Sequence, residues 1–229
     1  MKKVGVIGCG GISGVHGWVL SEMEDVQITA VCDIEPERAE DFAQKYVTAR
    51  KSKRPGAENA NCIVVTDWRR LCDMELDVVH ICTPHALHAP MATALLKSGK
   101  AVFMEKPCAV SREQFEELRK AVGLHPGKLG FCFQNRYNKT TETVDRLIKE
   151  GRIGAVTGAR AFVTWRRDEE YYLSSPWKGR LATEGGGALI NQAIHTLDLL
   201  LRYLGTPELV EASVHNHHLP GIIEVEDTV

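Results

Sequence analysis

Position 106 is a lysine between a glutamate and a proline, and positions 191, 195 and 198 carry Asn, His and Asp within one apolar run. Spacings of four and three residues put the last three on one face of a helix. Together with a lysine they suit the oxidation of a secondary alcohol, in which a proton leaves the oxygen and a hydride leaves the same carbon. His195 is the candidate general base, because imidazole titrates near neutrality and can return the proton in the reverse direction. Lys106 would hold the hydroxyl and stabilise developing alkoxide charge, and burial can lower its pKa enough to share the proton. Asp198 is suited to orient His195 or bind a substrate hydroxyl, whereas Asn191 can only hydrogen-bond. Residues of these types can equally form a satisfied core pair and a strand-end surface lysine.

A hydride needs an acceptor, and the stretch Val4 to Asp33 reads as strand, glycine turn, helix, strand. Val4, Val6 and Ile7 form a short apolar run that ends at Gly8, Gly10 and Gly11, and Val15, Trp18 and Val19 recur at helical spacing. Val26 to Val31 is β-rich and delivers Asp33 about twenty residues beyond the glycines. Such a unit binds a dinucleotide: the glycines admit a pyrophosphate to the backbone, the helix N-terminus attracts it, and the acid accepts from a ribose diol. A 2′-phosphate would meet Asp33 as a like charge, so NAD is expected rather than NADP. The fingerprint departs at its third position, where small Ser13 stands with Gly14 behind it. A methyltransferase placing Asp33 on an adenosine ribose is the competing reading. Glu105-Lys106-Pro107 has no evident role in methyl transfer and counts against it.

The elements that must position these groups follow in alternation. Pro36 opens a helix with Ala39, Phe42, Ala43 and Tyr46 on its inner face, and the basic, polar run from Tyr46 to Asn61 reads as a surface loop. Cys62 to Val65 is a strand, Asp67 caps the helix carrying Leu71, and DVVHIC at 77–82 is a buried strand running into Thr83-Pro84-His85. A helix from Ala86 to Lys97, a strand from Ala101 to Met104 and a helix capped by the Ser111–Gln114 box complete the series. This alternation predicts a doubly wound parallel sheet with ligands at the C-terminal ends of its strands. LHPGK at 124–128 marks a boundary, giving a dinucleotide-binding domain over 1–124 and an α+β substrate domain over 125–229 built on an open, mostly antiparallel sheet. Its strands are expected at 129–133, 155–166, 208–218 and 222–229. A loop over 168–184, rich in Tyr, Trp, Lys and Arg, suits a substrate mouth, and Gly185-Gly186-Gly187 opens the helix carrying Asn191, His195 and Asp198. Arg136, Tyr137, Trp165, Tyr171, Trp177, Lys178 and Arg180 are candidates to line a sugar pocket. His215, His217 and His218 do not form a metal site, since neighbouring strand residues point to opposite faces.

The chain has 229 residues, a quarter of them charged, and a formal net charge of −2. That balance offers no electrostatic case for nucleic acid or an anionic membrane. No apolar run reaches the roughly twenty residues of a bilayer span. Seven cysteines without motif spacing point to a reducing, cytoplasmic compartment.

Gly8-Cys9-Gly10-Gly11-Ile12-Ser13, Thr83-Pro84-His85 with His88, Glu105-Lys106-Pro107, and the triple glycine followed by Asn191, His195 and Asp198 resemble the Gfo/Idh/MocA oxidoreductases. The resemblance implies an N-terminal Rossmann domain and a C-terminal α/β domain whose open sheet carries substrate residues on one face and builds a homo-oligomer, a dimer or tetramer, with the other. It implies that Lys106 lies between nicotinamide and a sugar, nucleotide-sugar or cyclitol substrate. The implied cofactor contacts are Gly8, Gly10, Gly11, Ile12, Ser13, Asp33, Thr83, Pro84, His85, His88, Glu105, Lys106, Pro107 and Gln134. The implied substrate contacts are Lys106, Arg136, Tyr137, Trp165, Trp177, Asn191 and His195. Asn191 stands where the family usually has Asp, which removes one ionisable group and weakens a plain inositol assignment. Relatives of this kind usually continue for about a hundred residues more, adding strands to the second sheet, so the chain reads as lacking that C-terminal part. A catalytically silent dinucleotide- or sugar-binding regulator on the same scaffold is the alternative.

Overall fold

The computed structural model describes residues 1–54 and 61–229, and it divides into two compact units, Met1–Phe131 and Cys132–Val229. In the first unit the apolar runs become β1 (Lys2–Ile7), β2 (Val26–Cys32), β3 (Ile63–Val65), β4 (Val78–Ile81), β5 (Ala101–Met104) and β6 (Leu129–Phe131). All pair in parallel, in the order β3-β2-β1-β4-β5-β6. The strand order reverses between β1 and β4, and that crevice is where open α/β sheets bind ligands.

Helices cover both faces. On one, α1 (Gly11–Glu22) and α2 (Pro36–Lys53) pack on Val4, Val6, Ile28 and Val31 through Leu20, Ala39, Phe42 and Tyr46. On the other, the short α3 (Arg70–Asp73), α4 (His88–Lys97) and α5 (Arg112–Leu124) close over Ile7, Ala30, Val79, Ile81, Val102 and Met104. Alternate strand residues thus enter opposite cores, as the period of two requires. Ser111 caps α5 by accepting from the Gln114 N–H at 3.2 Å, and the Gln114 side chain accepts from the Val110 N–H, one residue short of the capping box expected.

The structure revises three readings. Residues 46–53, expected as loop, continue α2, because Arg50 is buried and its guanidinium donates to the carbonyls of Leu20 and Met23 at the end of α1. Residues 55–60 of that expected loop lie outside the described residues. Leu129–Phe131 joins the first sheet beside β5, so the compact units divide near 131 rather than 124. In the second unit, none of the strands expected at 155–166, 208–218 and 222–229 forms among the described residues; two isolated bridges, His215 with Thr228 and Pro220 with Ile223, are the pairing there. A strand is held by its ladder to a neighbour, and these stretches meet too few partners within this unit to build one.

What does form in the second unit is helical: α6 (Lys139–Lys149), two short helices α7 (Glu169–Leu173) and α8 (Leu181–Glu184) inside the expected loop, a π-helical turn at Ala188–Ala193, and α9 (Ile194–Leu204). Its core is small, made of Tyr172, Ile223 and Val225. Among the described residues no helix is long and apolar enough to cross a membrane.

Candidate functional site

In the first unit, the motifs expected at a dinucleotide cleft stand at the C-terminal ends of adjacent strands. β1 ends at Ile7, and Gly8 turns the chain with φ +86°, where an added Cβ would lie 2.6 Å from the Cys82 carbonyl oxygen. Only glycine satisfies both conditions. Cβ atoms on Gly10 or Gly11 would meet nothing within 4 Å, so these two leave an open concavity before α1. The first turn of α1 carries no acidic side chain and Gly10 makes no side-chain cap, so its N–H groups and positive dipole end are not already neutralised by the chain. This arrangement fits a dinucleotide pyrophosphate.

Ser13 is fully buried and donates to the Gly10 carbonyl at 2.6 Å, which settles the departure at the third fingerprint position: its hydroxyl is satisfied within the turn. The close helix packing expected there falls instead at Gly17, where a Cβ would sit 2.9 Å from the Phe42 ring of α2. Asp33, at the end of β2, accepts from the Cys9 N–H at 2.8 Å and the Glu35 N–H at 3.0 Å. Its carboxylate is thereby fixed beside the glycine turn, where a ribose diol would approach it. Asp33→Ser is expected to weaken NAD binding about 10- to 100-fold, the worth of a lost charge-assisted hydrogen bond, while weakening NADP less. Titration calorimetry with both cofactors checks this.

Thr83, Pro84 and His85 follow β4, and Glu105, Lys106 and Pro107 follow β5, with a cis Lys106–Pro107 bond. His88 is not at the surface of this edge. It is fully buried, with Nδ1 2.8 Å from the Pro107 carbonyl and Nε2 2.8 Å from the Thr83 carbonyl, so it fastens one loop to the other. Burial lowers its pKa against the pull of the two carbonyls. Two further histidines, unmarked by any sequence motif, support Glu105. His16 Nε2 lies 3.0 Å from a Glu105 carboxylate oxygen, and His16 Nδ1 lies 2.9 Å from His80 Nδ1. Burial, helped by the neighbouring His16, pushes His80 down to about 3 against the opposing Glu105 charge. A neutral His80 donating to His16, which donates in turn to Glu105, satisfies both contacts.

Three cysteines near β2 are shielded. Burial, with the Asp33 charge beside it, pushes the Cys9 thiol up to about 12; burial with Asp33 and Asp67 does the same for Cys32, and burial alone raises Cys62 to about 11. The thiolate is the reactive form. The folded protein is therefore expected to leave these three unmodified by iodoacetamide at mildly alkaline pH, and all three should label after denaturation, as peptide mass spectrometry would show.

In the second unit the triple glycine is shaped by a residue that motif reading did not find. The Glu226 carboxylate accepts from the Gly187 N–H at 2.8 Å and the Leu189 N–H at 2.9 Å, its carbonyl accepts from Ala188, and a Cβ on Gly187 would fall on that carbonyl. The following π turn and α9 then fan out the three expected side chains. Asn191 donates to the fully buried carboxylate of Glu184, and its amide nitrogen lies 3.5 Å from the Tyr171 hydroxyl. Burial raises the Glu184 pKa against the donors Gly179 N–H and Asn191. His195, 7% exposed, sets its ring edge-on to Phe133 with centroids 5.9 Å apart. Asp198 is engaged bidentately by Arg136, whose Nε lies 2.7 Å away and whose guanidinium also stacks on Phe133 at 5.4 Å. Phe133 thus gathers Arg136 and His195, while the Asp198 carboxylate orients Arg136.

The other expected residues are spread more widely. Gln134 begins a short turn in this second unit, Tyr137 and Trp165 are exposed, and Trp177 is half-buried. Arg167, absent from the expected set, lies over Trp165 at 5.3 Å and over Tyr171 at 4.7 Å, and Lys178 lies over Tyr171 at 3.9 Å.

Comparison with known proteins matches these two halves to two models of one family. Residues 2–128 match the oxidoreductase family with NAD-binding Rossmann fold, and residues 141–229 match the GFO/IDH/MocA C-terminal domain. The D-glucoside 3-dehydrogenase of Escherichia coli K12 is 29% identical over 96% of this chain and 58% of that enzyme. The inositol 2-dehydrogenase of Rhizobium meliloti is 31% identical over 67% of this chain and 42% of that enzyme. The WlbA dehydrogenase of Chromobacterium violaceum, solved with NADH and UDP-GlcNAcA, superposes with a TM-score of 0.80 at 28% identity, covering 99% of this chain and 61% of that one. The chain thus spans about three fifths or less of the relatives it matches. With both models matched in order and the glycine turn and strand-end motifs in their expected places, the chain belongs to the Gfo/Idh/MocA oxidoreductase family.

Proposed function

We propose that the protein is an NAD-dependent dehydrogenase that oxidises a secondary hydroxyl of a sugar, nucleotide sugar or cyclitol, and reduces the ketone in reverse. The observation that carries this reading is the C-terminal edge of the first unit's sheet, where the open glycine turn follows β1, the fixed Asp33 follows β2 and Lys106 follows β5, one strand beyond β4. The names of the relatives, dehydrogenases of a glucoside and of inositol, support the substrate class. Gly10, Gly11 and Ile12 would hold the pyrophosphate and Asp33 the ribose, and the bound nicotinamide supplies the hydride acceptor.

The proton is the protein's task. In this reading Lys106 binds the reacting oxygen and stabilises it as charge develops, and His195 takes the proton. Electrostatic help of this kind requires a fixed donor; His88 and the His16–Glu105 contact hold the loops on either side of Lys106. The reading includes self-association into a dimer or tetramer, supported by the exposed Leu197, Leu201 and Leu204 along α9.

The test is a melting curve with each cofactor, followed by assay of NADH formation across sugars, cyclitols and nucleotide sugars. NAD is expected to raise the melting temperature more than NADP at equal concentration, because a ligand that binds only the folded state stabilises it. Protection by NADP alone, or by neither, would reject the cofactor assignment.

A further inference from the structure

In the second unit two cations lie over one aromatic ring, and among the described residues neither is in an ion-pair contact. Lys178 Nζ is 3.9 Å from the centre of the Tyr171 ring and Arg167 Cζ is 4.7 Å from it. Two more exposed arginines of the same unit are ion-paired, Arg136 with Asp198 and Arg202 with Asp145. Among the described residues, no carboxylate lies within ion-pair distance of Arg167 or Lys178. Lys178 donates only to the Tyr171 carbonyl at 3.3 Å and the Ser174 hydroxyl at 3.4 Å, and Arg167 to the Arg166 carbonyl at 3.1 Å. Arg167 Nε is buried and has no hydrogen-bond partner among the described residues.

A buried guanidinium N–H without an acceptor costs free energy, and two like charges over one ring repel. Burial lowers the Lys178 pKa; the Glu184 charge opposes it, and the smaller Arg167 repulsion adds to the lowering. Glu184 acts on Lys178 through its charge, and its oxygens accept from the Gly179 N–H and the Asn191 amide. The ring is tied to the candidate site, since the Tyr171 hydroxyl lies 3.5 Å from Asn191 Nδ2. A neutral polyol could accept hydrogen bonds from the pair but would leave its charge uncompensated. An anionic oxygen group would offset both charges and accept from the guanidinium and the ammonium, the chemistry these groups serve in carboxylate and phosphate recognition.

We propose that Arg167 and Lys178 form an anion subsite, and that the substrate is a sugar bearing a carboxylate or a phosphate rather than a neutral polyol. This deepens the dehydrogenase reading and rests on it for the role of the second unit. The anion itself is tested without cofactor.

The experiment follows tryptophan fluorescence, with Trp165 and Trp177 nearby in sequence as reporters, during titration at low salt with four probes: D-glucose, D-glucuronate, UDP-glucose and UDP-glucuronate. At least one charged sugar is expected to bind about tenfold or more tighter than D-glucose, as a charge-assisted contact should give. Preference for D-glucuronate identifies a carboxylate as the group; equal binding of UDP-glucose and UDP-glucuronate, with none for D-glucuronate, identifies the phosphates. The preference should vanish in Arg167→Gln and Lys178→Gln and persist in Lys178→Arg. If Arg167→Gln does not fold by circular dichroism, the two Lys178 variants decide. Equal binding of charged and neutral sugars, no binding of any charged probe, or a preference that survives Lys178→Gln would overturn the subsite. NAD protection is read separately: its loss with the anion preference intact would reject the dehydrogenase reading and leave the subsite standing.

Discussion

His195→Ala is expected to lower turnover by about two to four orders of magnitude, the usual worth of a positioned general base, while the NAD-dependent rise in melting temperature is unchanged. The side chain is nearly buried on the first turn of α9, with its ring edge-on to Phe133, so the imidazole is held by packing rather than left to sample solvent. Removing it deletes the proposed proton acceptor and leaves the glycine turn of the first unit untouched. The pH profile should change with it: any loss of wild-type activity at low pH that comes from protonation of this base should be absent from the variant's residual rate. Steady-state rates across pH check both. A variant that turns over at wild-type speed would remove His195 from the proton step.

Gly8→Ala should be the most damaging single-methyl change in the cofactor half, costing about 2 to 4 kcal/mol of stability. Two penalties add. The backbone sits at φ +86°, which side chains rarely adopt, and the new Cβ would press against the Cys82 carbonyl at 2.6 Å. A melting temperature lower by about 5 to 15 °C is expected for a domain of this size, together with loss of NAD protection. Gly10→Ala provides the contrast. Its φ of −79° is ordinary and its Cβ meets nothing within 4 Å, so the fold should melt at the wild-type temperature. The methyl would instead occupy the concavity meant for the pyrophosphate, and NAD protection alone should fall. If both variants keep NAD protection, the glycine turn is not the phosphate site.

The contrast between the two halves shows what a sequence makes legible. The first sheet was readable because its strands are short apolar runs bounded by glycines, acids and helix caps, and each run finds its partners within the same unit. Asp33, Lys106 and the glycine turn could be named because their motifs are local. His16, His80 and Glu226 could not, since each matters through a partner tens of residues away: Glu105 for His16, His16 for His80, and the Gly187 and Leu189 N–H groups for Glu226. Arg50 was misread for the same reason, its basic neighbours suggesting solvent while its guanidinium closes the end of α1. In the second unit, alternation at 155–166 reads as a strand, but alternation marks a strand only when a neighbouring strand completes the ladder, and none does within this unit. Asp198 illustrates the limit of spacing: counting residues puts it on one helix face with Asn191 and His195, whereas its bidentate partner Arg136 comes from a separate turn 62 residues away.

The dehydrogenase account is tested most directly by following NADH formation with Lys106→Met beside the wild type, across sugars, uronates, nucleotide sugars and cyclitols. The wild type is predicted to reduce NAD with at least one of them, and the variant to bind NAD equally well but react about a hundredfold or more slowly. Equal rates for the two proteins, or a wild type that binds NAD and reduces it with none of these compounds, would contradict the account.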